Sequence, residues 1–277
     1  MSKEEINVSW LGDRNRRVTV GWRRWGSAAA LVLGVAVPAA AQEPAQPRFA
    51  LPEQTQLDAR AVEVLEAMSA TLAAADTLRF TAVASYESLA RTGLPLTYTT
   101  LSEVTLQRPD KLRVLTPADG PPAEFYYDGS TMMAFAPEEG LVAVADAPPS
   151  IDAMLQELYG LSATYFPFTD VIVADPIGDL APDVRLALYV GQSQVVGGTT
   201  TDVVALADDT AQTQWWIGAE DHLPYRITAS FFDELGTFRH TVDLSHWELD
   251  PVIEPGTFVS DTAAEAEPIP FAPPGAR

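Results

Sequence analysis

The segment TQWWIGAEDHLPYRITASFF, residues 213–232, carries the pattern that decides the fold. Its second part alternates between apolar and polar residues, which is typical of a half-buried antiparallel strand. In its first part Trp215 and Trp216 are adjacent, so their indoles point to opposite faces of an extended chain. Asp221-His222 lies between the two parts as a turn. The residues on the apolar side of the second strand are Tyr225, Ile227, Ala229 and Phe231.

Strand-like runs of the same kind recur on both sides of this hairpin. Asp128-Gly129 and Gly197-Gly198 separate neighbouring runs and are hairpin signals, because both tolerate positive φ. The runs do not alternate with helices, so a parallel sheet is not expected. We predict about eleven antiparallel strands, at 79–88, 97–107, 111–116, 123–128, 131–136, 141–145, 186–196, 199–207, 213–219, 223–232 and 237–248.

Two helical regions accompany the strands. The first covers residues 57–78 and presents a single apolar stripe at helical spacing. The second begins after Ser150, a good N-cap, and runs from Ile151 until Gly160 ends it. Residues 150–183 are interpreted as a helical insertion lying across the sheet. The pattern therefore predicts a mainly β (α+β) fold, in which one highly curved antiparallel sheet carries helices on its concave face.

The N-terminal region resembles an export signal. Five arginines between residues 14 and 24 precede an uncharged run that ends in Ala39-Ala40-Ala41, the layout of a cleaved signal peptide. A membrane anchor is the alternative, but the apolar centre AAALVLGVAV is shorter than the roughly 20 residues needed to span a bilayer. We predict a signal at 1–41 with cleavage after Ala41, and a flexible lead-in at 42–56. The route, general secretory or twin-arginine, stays open.

Charge and cysteine content narrow the function. Residues 1–41 hold six of the 17 basic and three of the 38 acidic residues, so the remaining 236 residues carry 11 against 35, a net charge of −24. Such a surface repels nucleic acid, and no nucleic-acid partner is expected. The chain has no cysteine, which excludes disulfides, thiol catalysis and a lipid-modified cysteine anchor. We expect no stable membrane anchor after cleavage.

Catalytic and metal-binding motifs are missing from the sequence. No G-x-S-x-G elbow, phosphate-binding loop or G-x-G-x-x-G motif occurs. His240 and His246 fall six residues apart on one predicted strand, hence on one face but about 20 Å apart, too far to share a metal ion. We predict no catalytic residue, no metal site and no cofactor, and therefore no enzyme.

The ordered set of segments resembles the DUF2092 family of predicted periplasmic proteins. That family belongs to the group sharing the lipoprotein carrier (LolA/LolB-like) fold. The resemblance covers residues 57–250, which it predicts to be one LolA-like domain. Composition indicates that residues 251–277 are a Pro- and acid-rich tail, which we expect to be loosely docked or mobile from Pro268. It implies periplasmic localisation and an unclosed β-barrel with helices over an apolar cavity. The segments that carry it are LDARAVEVLEAMSATLAAADTLRF (57–80), RPDKLRV (108–114), FYYDGSTM (125–132), APPSIDAML (147–155), YVGQSQVVGG (189–198), QWWIGAEDHLPYRI (214–227) and LSHWEL (244–249).

The resemblance suggests a carrier for a hydrophobic cargo, a lipid or the acyl group of a lipoprotein. The aromatic and apolar residues expected to line its cavity could equally fill an ordinary core, and the sequence does not separate these interpretations. An envelope protein-interaction or sensor module, using the sheet face or the acidic tail, is the alternative function. The predicted lining residues are Tyr126, Met154, Leu158, Phe166, Trp215, Trp216, Tyr225, Ala229 and Phe231.

Overall fold

The computed structural model describes residues 51–272, apart from 53, 91, 119–120, 181–182 and 234–235. The predicted signal, most of the predicted lead-in and residues 273–277 lie outside the described residues.

The described chain forms one sheet of thirteen strands. Their spatial order is β1-β8-β9-β10-β11-β12-β2-β3-β4-β5-β6-β7-β13. All neighbours are antiparallel except the two short outer pairs, β1 with β8 and β13 with β7. In chain order the strands are β1 (Gln56–Leu57), β2 (Thr77–Leu89), β3 (Pro95–Gln107), β4 (Lys111–Ala118), β5 (Ala123–Tyr127), β6 (Thr131–Ala136), β7 (Leu141–Asp146), β8 (Leu186–Ser193), β9 (Thr201–Ala207), β10 (Ala211–Gly218), β11 (Pro224–Asp233), β12 (Gly236–Leu249) and β13 (Glu267–Ile269).

This architecture confirms the predicted fold class. The sheet is strongly curved, and its end strands β1 and β13 do not pair with each other, so the barrel is unclosed. The eleven predicted strands are all present as β2–β12, and the two additional strands are only two and three residues long. Strands this short leave almost no alternation in the sequence to detect.

Within the described residues, four α-helices pack on the concave face. Their bounds are α1 (Ala59–Ala74), α2 (Ile151–Ser162), α3 (Thr169–Ile172) and α4 (Pro176–Leu180). Asp58 caps α1 by accepting a hydrogen bond from the Arg60 N–H at 2.8 Å, and Ser150 caps α2 as predicted. The helix α2 continues past Gly160 and ends at Ala163, which adopts the left-handed conformation with φ 55°. Gly160 is exposed there and is tolerated inside the helix.

The apolar stripe of α1 lies against the sheet. Val64, Leu65, Met68 and Leu72 are at most 5% exposed and join a single core with the apolar side chains of α2 and of the strands. Arg108, which directly follows β3, links the helices α1 and α3. Its guanidinium donates to the carbonyl of Leu72 at 3.4 Å and to that of Ile172 at 3.2 Å. Burial lowers the pKa of Arg108.

The C-terminal segment lies on the convex face. Strand β13 pairs with β7 and so covers one edge of the sheet. Phe258 and Ala263 are 7% and 2% exposed, and Ala263 packs with Phe135 and Val142. The tail is therefore paired with the sheet up to Ile269, and the loose attachment from Pro268 stays a prediction for the residues that follow. Its partners are distant in sequence, which explains why composition alone did not reveal them.

Candidate functional site

The concave face changes from covered to open along the strands. On β2, Leu78 and Phe80 are 0% and 1% exposed, because helices lie over them. Further along the same face Ala84 is 5% exposed, Tyr86 is half-buried and Ser88 is exposed. Side chains two residues apart on a strand point to the same face, so this gradient follows one face of the sheet.

On the neighbouring strands, the concave side chains change from buried to exposed at the same height in the sheet. On β3, Val104 is 0% exposed, whereas Tyr98 and Leu96 are each 43% exposed. On β12, Val242 is 4% exposed and His240 is half-buried. We call the part under the helices the covered half and the rest the open half. The concave-facing residues of the open half are Tyr86, Leu96, Tyr98, Thr213, Ala229, Phe231 and His240.

Four rings form a row across the open half. The centroids of Phe231 and His240 are 5.2 Å apart, those of His240 and Tyr86 are 5.9 Å apart, and those of Tyr86 and Tyr98 are 5.7 Å apart. The strand register creates this aromatic row, since His240 lies opposite Tyr86 and Tyr86 opposite Tyr98. Cross-strand neighbours of this kind contact each other directly. The aromatic row therefore spans β11, β12, β2 and β3.

Trp215 marks the boundary between the halves on β10. Its indole is 0% exposed, and its Nε1 donates to Thr213 Oγ1 at 3.0 Å. Thr213 is opposite Ala229, which is half-buried. The methyl group of Ala229 thus forms an apolar base of the open half, next to the covered indole.

The phenol of Tyr86 stays neutral over a wide pH range. Burial raises the pKa of Tyr86, and the nearby phenol of Tyr98 raises it further. A neutral phenol donates and accepts hydrogen bonds. The open half thus offers hydroxyl groups beside apolar rings.

A polar cluster lies at the far end of the concave face, on β8 and β9. Asp202 is 4% exposed and accepts hydrogen bonds from Tyr189 Oη at 2.7 Å and Gln192 Nε2 at 3.1 Å. The Arg60 guanidinium lies 3.5 Å from the same carboxylate and 5.7 Å from the centre of the Tyr189 ring. The hydrogen bond to Asp202 raises the pKa of Tyr189. These contacts fix the start of α1 on the sheet.

The predicted lining residues lie in several places. Met154, Leu158 and Trp215 are at most 1% exposed and belong to the covered core. Phe166 is half-buried and stacks on Phe168 with centroids 5.5 Å apart. These side chains line the interface between helices and sheet.

Only two of the predicted residues, Ala229 and Phe231, lie in the open half. Tyr225 faces the same side but lies at the other end of β11, where its hydroxyl donates to Asp221 at 2.6 Å. Six residues along a strand separate Tyr225 from Phe231 by about 20 Å.

Tyr126 and Trp216 face the convex side, so we remove them from the predicted lining. Tyr126 lies between Phe125 and Tyr127, which face the helices, and its hydroxyl donates to Glu124 at 2.7 Å. Burial and this hydrogen bond raise the pKa of Tyr126 to about 12. Trp216 is opposite Arg226, which is paired with Asp243 on the convex face. Strand alternation, already visible for Trp215 and Trp216, accounts for both placements.

The sequence missed three members of the aromatic row. Tyr86 lies on β2 and Tyr98 on β3, the two strands of the longest hairpin. Only the strand register places the two residues opposite each other. His240 was expected to share a face with His246. A β-bulge between Ser245 and Glu248 interrupts the alternation, and His246 is exposed with φ 54°.

No three or more His, Asp or Glu side chains of residues 51–272, with the gaps given above, lie close enough to hold a metal ion. Within the same part of the chain, no helix combines the length and apolarity required to cross a bilayer.

Comparison with known protein families identifies one matching family. A family model described as "Predicted periplasmic protein (DUF2092)" matches residues 61–272. No curated protein matches the sequence.

Several solved structures resemble the fold at low identity. LprF from Mycobacterium bovis is 14% identical with a TM-score of 0.45, covering 74% of this chain and 100% of that one. A LolA superfamily protein from Nitrosomonas europaea is 12% identical with a TM-score of 0.35, covering 73% and 98%. The MucA/MucB complex of Pseudomonas aeruginosa gives 16% identity and a TM-score of 0.39, covering 76% and 63%. Likeness at this level does not identify a function.

Proposed function

The chain belongs to the DUF2092 family of predicted periplasmic proteins, and on that premise we propose that it binds a hydrophobic molecule in the open half and carries it. The binding involves no covalent chemistry. The cargo is a lipid or the acyl group of a lipoprotein. The chain performs this role in the periplasm after its predicted signal at 1–41 has been removed.

The proposal depends on the difference in side-chain exposure between the two halves of the concave face. Apolar and aromatic side chains continue from the covered half into the open half, but there Tyr98 and Leu96 remain 43% exposed. Single exposed apolar residues are common on protein surfaces. A contiguous concave group of them is typical of a ligand site.

Burial of apolar surface supplies the binding energy. Removing about 200 Å² of ligand surface from water contributes roughly 5 kcal/mol at about 25 cal/mol per Å². The cost of association and of ordering the ligand reduces this gain. A longer acyl chain that reaches Ala229 contacts more apolar surface and binds more tightly.

Non-covalent binding agrees with the chemistry of the sequence. It contains no cysteine, no nucleophile elbow and no phosphate-binding loop. The neutral phenol of Tyr86 is suited to hydrogen bonding rather than to nucleophilic attack. We therefore propose a carrier rather than an enzyme.

Native mass spectrometry with lipid extraction tests the function directly. The full exported chain is purified from the periplasm of its own host without detergent. We expect a co-purifying lipid or acylated peptide at close to one molecule per chain. A protein that retains its unliganded mass, even after incubation with envelope lipids, would exclude the carrier function.

A protein-interaction role is a second candidate, supported by the edge strand β8. In the described chain only Leu186 and Ala187 of this strand pair with β1. Beyond them Leu188 and Val190 are 44% and 58% exposed. A free edge with exposed apolar side chains accepts a strand from another chain.

Site-specific cross-linking tests this second role. A photoactivatable residue replaces Val190 in one variant and Val252, which is 84% exposed, in the control. One defined periplasmic protein captured only by the first variant supports the role, and identical cross-linking patterns contradict it.

A further inference from the structure

We propose that the ligand of the open half carries an uncharged, hydroxyl-bearing polar group, as an acylglycerol does, rather than a carboxylate, a phosphate or an ammonium group. This inference rests on the proposed carrier function and narrows the class of its cargo. It follows from the distribution of charged side chains between the two faces of the sheet.

The convex face of the central strands carries ion pairs. The Arg226 guanidinium forms two hydrogen bonds with Asp243, from Nε at 2.5 Å and from Nη2 at 3.0 Å, between β11 and β12. Arg79 of β2 lies 2.9 Å from Glu248 of β12. These same strands contribute Phe231, His240 and Tyr86 to the concave face, so adjacent residues differ sharply in charge.

The concave face is almost uncharged. Among the strand side chains that the structure describes on this face of β2–β5 and β8–β12, Asp202 is the single Asp, Glu, Lys or Arg residue. Its carboxylate already accepts hydrogen bonds from Tyr189 and Gln192 and pairs with Arg60. The side chain of Asp202 is 6% exposed, so it is not available to a ligand. On these strands no described Asp, Glu, Lys or Arg side chain of the concave face is left to compensate a charged ligand.

The polar groups of the open half are neutral hydrogen-bonding groups. Tyr86 and Tyr98 contribute phenols, and Thr213 contributes a hydroxyl beside the Trp215 indole. Ser102 and Thr116 lie deeper on the same face, with their hydroxyl oxygens 3.3 Å apart. Such groups pair well with hydroxyl and ester oxygens. They recover little of the hydration energy that a buried ion loses.

Anionic and cationic ligands are both disfavoured. The net charge of −24 on residues 42–277 repels anionic ligands at long range. Cations are bound by the open faces of aromatic rings. Tyr86 and Tyr98 are instead stacked with an interplanar angle of 23°, which turns their faces toward each other. This contact leaves less ring face open to a cation.

Amphiphiles with one tail and different head groups test the proposal. Monomyristoylglycerol, myristate and tetradecyltrimethylammonium are titrated into the full exported chain below their micelle concentrations, with binding followed by calorimetry. We expect the monoglyceride to bind at least tenfold more tightly than either ion. Equal or tighter binding of an ion overturns this inference but leaves the carrier function standing. Failure of all three, and also of the neutral diacylglyceryl-cysteine peptide described below, overturns both.

Hydroxyl-deleting variants test which groups recognise the ligand. The double variant Tyr86→Phe, Tyr98→Phe keeps both rings and removes both phenols. We expect it to lose about threefold to tenfold in affinity for the monoglyceride for each hydroxyl. Its affinity for tetradecane, which has neither hydroxyl nor ester oxygens, should not change. The control Ser85→Ala alters the convex face of the same strand and should change neither affinity.

Unchanged affinity of the double variant for the monoglyceride would contradict the assignment of the phenols. An uncharged diacylglyceryl-cysteine tripeptide, acetylated and amidated, then distinguishes the source of the ligand. Binding of either neutral probe supports the proposal. The tighter of the two indicates whether the chain carries a free glyceride or the anchor of a lipoprotein.

Discussion

The covered half and the open half of the concave face are built from the same strands but have different partners. In the covered half Phe80 contacts Trp247 and Phe168, with centroids 4.4 Å and 5.7 Å away. In the open half Tyr86, six residues further along β2, is half-buried and has ring neighbours from adjacent strands. The difference lies in the helices, because they end before the aromatic row. Stability and ligand binding should therefore be separable along a single strand.

The largest effect is expected from removing a ring in the covered half. Phe80→Ala leaves a cavity beneath the helices and should lower the free energy of unfolding by about 3–5 kcal/mol. Tyr86→Ala, the matched change in the open half, should cost less than about 1 kcal/mol. Urea denaturation of both variants measures the difference. Similar losses for the two would contradict the division of the face.

The second effect concerns how the helices are held. Arg108→Ala removes the donors to the carbonyls of Leu72 and Ile172. Leaving these carbonyls without donors should cost about 2 kcal/mol of unfolding free energy. Hydrogen exchange should rise in α1 and α3 and stay unchanged on β11. Faster exchange on β11 as well would show that the halves are not independent.

The third effect concerns ligand binding, whereas the first two concern stability. Ala229→Phe fills the base of the open half and should weaken uptake of a lipid at least tenfold, about 1.4 kcal/mol. Thr228→Phe places the same ring on the opposite face, beside Gln214 and Thr241, and serves as the control. Calorimetric titration with monomyristoylglycerol measures both. Full uptake by a correctly folded Ala229→Phe variant would refute the placement of the site.

The smallest effect is a pH dependence in the covered half. Burial raises the pKa of Tyr127 to about 12, above the value near 10 of an unfolded tyrosine. Between these values the folded state holds the proton that the unfolded state releases, so stability falls as the pH rises from 10 to 12. Tyr127→Phe should reduce this fall by about 1 kcal/mol. Denaturation midpoints at pH 9 and 11 measure it, and identical slopes for variant and wild type would count against it.

Local pattern was enough to predict most of the fold. The turn at Asp128 illustrates this, since its carboxylate accepts hydrogen bonds from the N–H groups of Ser130 and Thr131, both at 2.9 Å. The apolar stripe of α1 likewise predicted a helix lying on the sheet. Each of these signals depends on residues close together in sequence.

The site was less predictable because it depends on register. Phe231 and Ala229 were identified from alternation within one strand. Tyr98 joins them only through three strand pairings, which a single sequence does not specify. The bulge before Glu248 shows the same limit, because it interrupts the alternation that placed His246 on the face of His240.

Thiol protection tests the account most directly, since the chain has no cysteine of its own. Single cysteines are introduced as Ala229→Cys in the open half and Thr228→Cys on the opposite face. Maleimide labelling rates are then measured with and without saturating monomyristoylglycerol. The ligand should slow labelling of the Ala229→Cys variant at least tenfold and leave the Thr228→Cys variant unchanged. Equal rates with and without ligand at both positions, in a protein that binds the lipid, would place the ligand elsewhere and contradict the account.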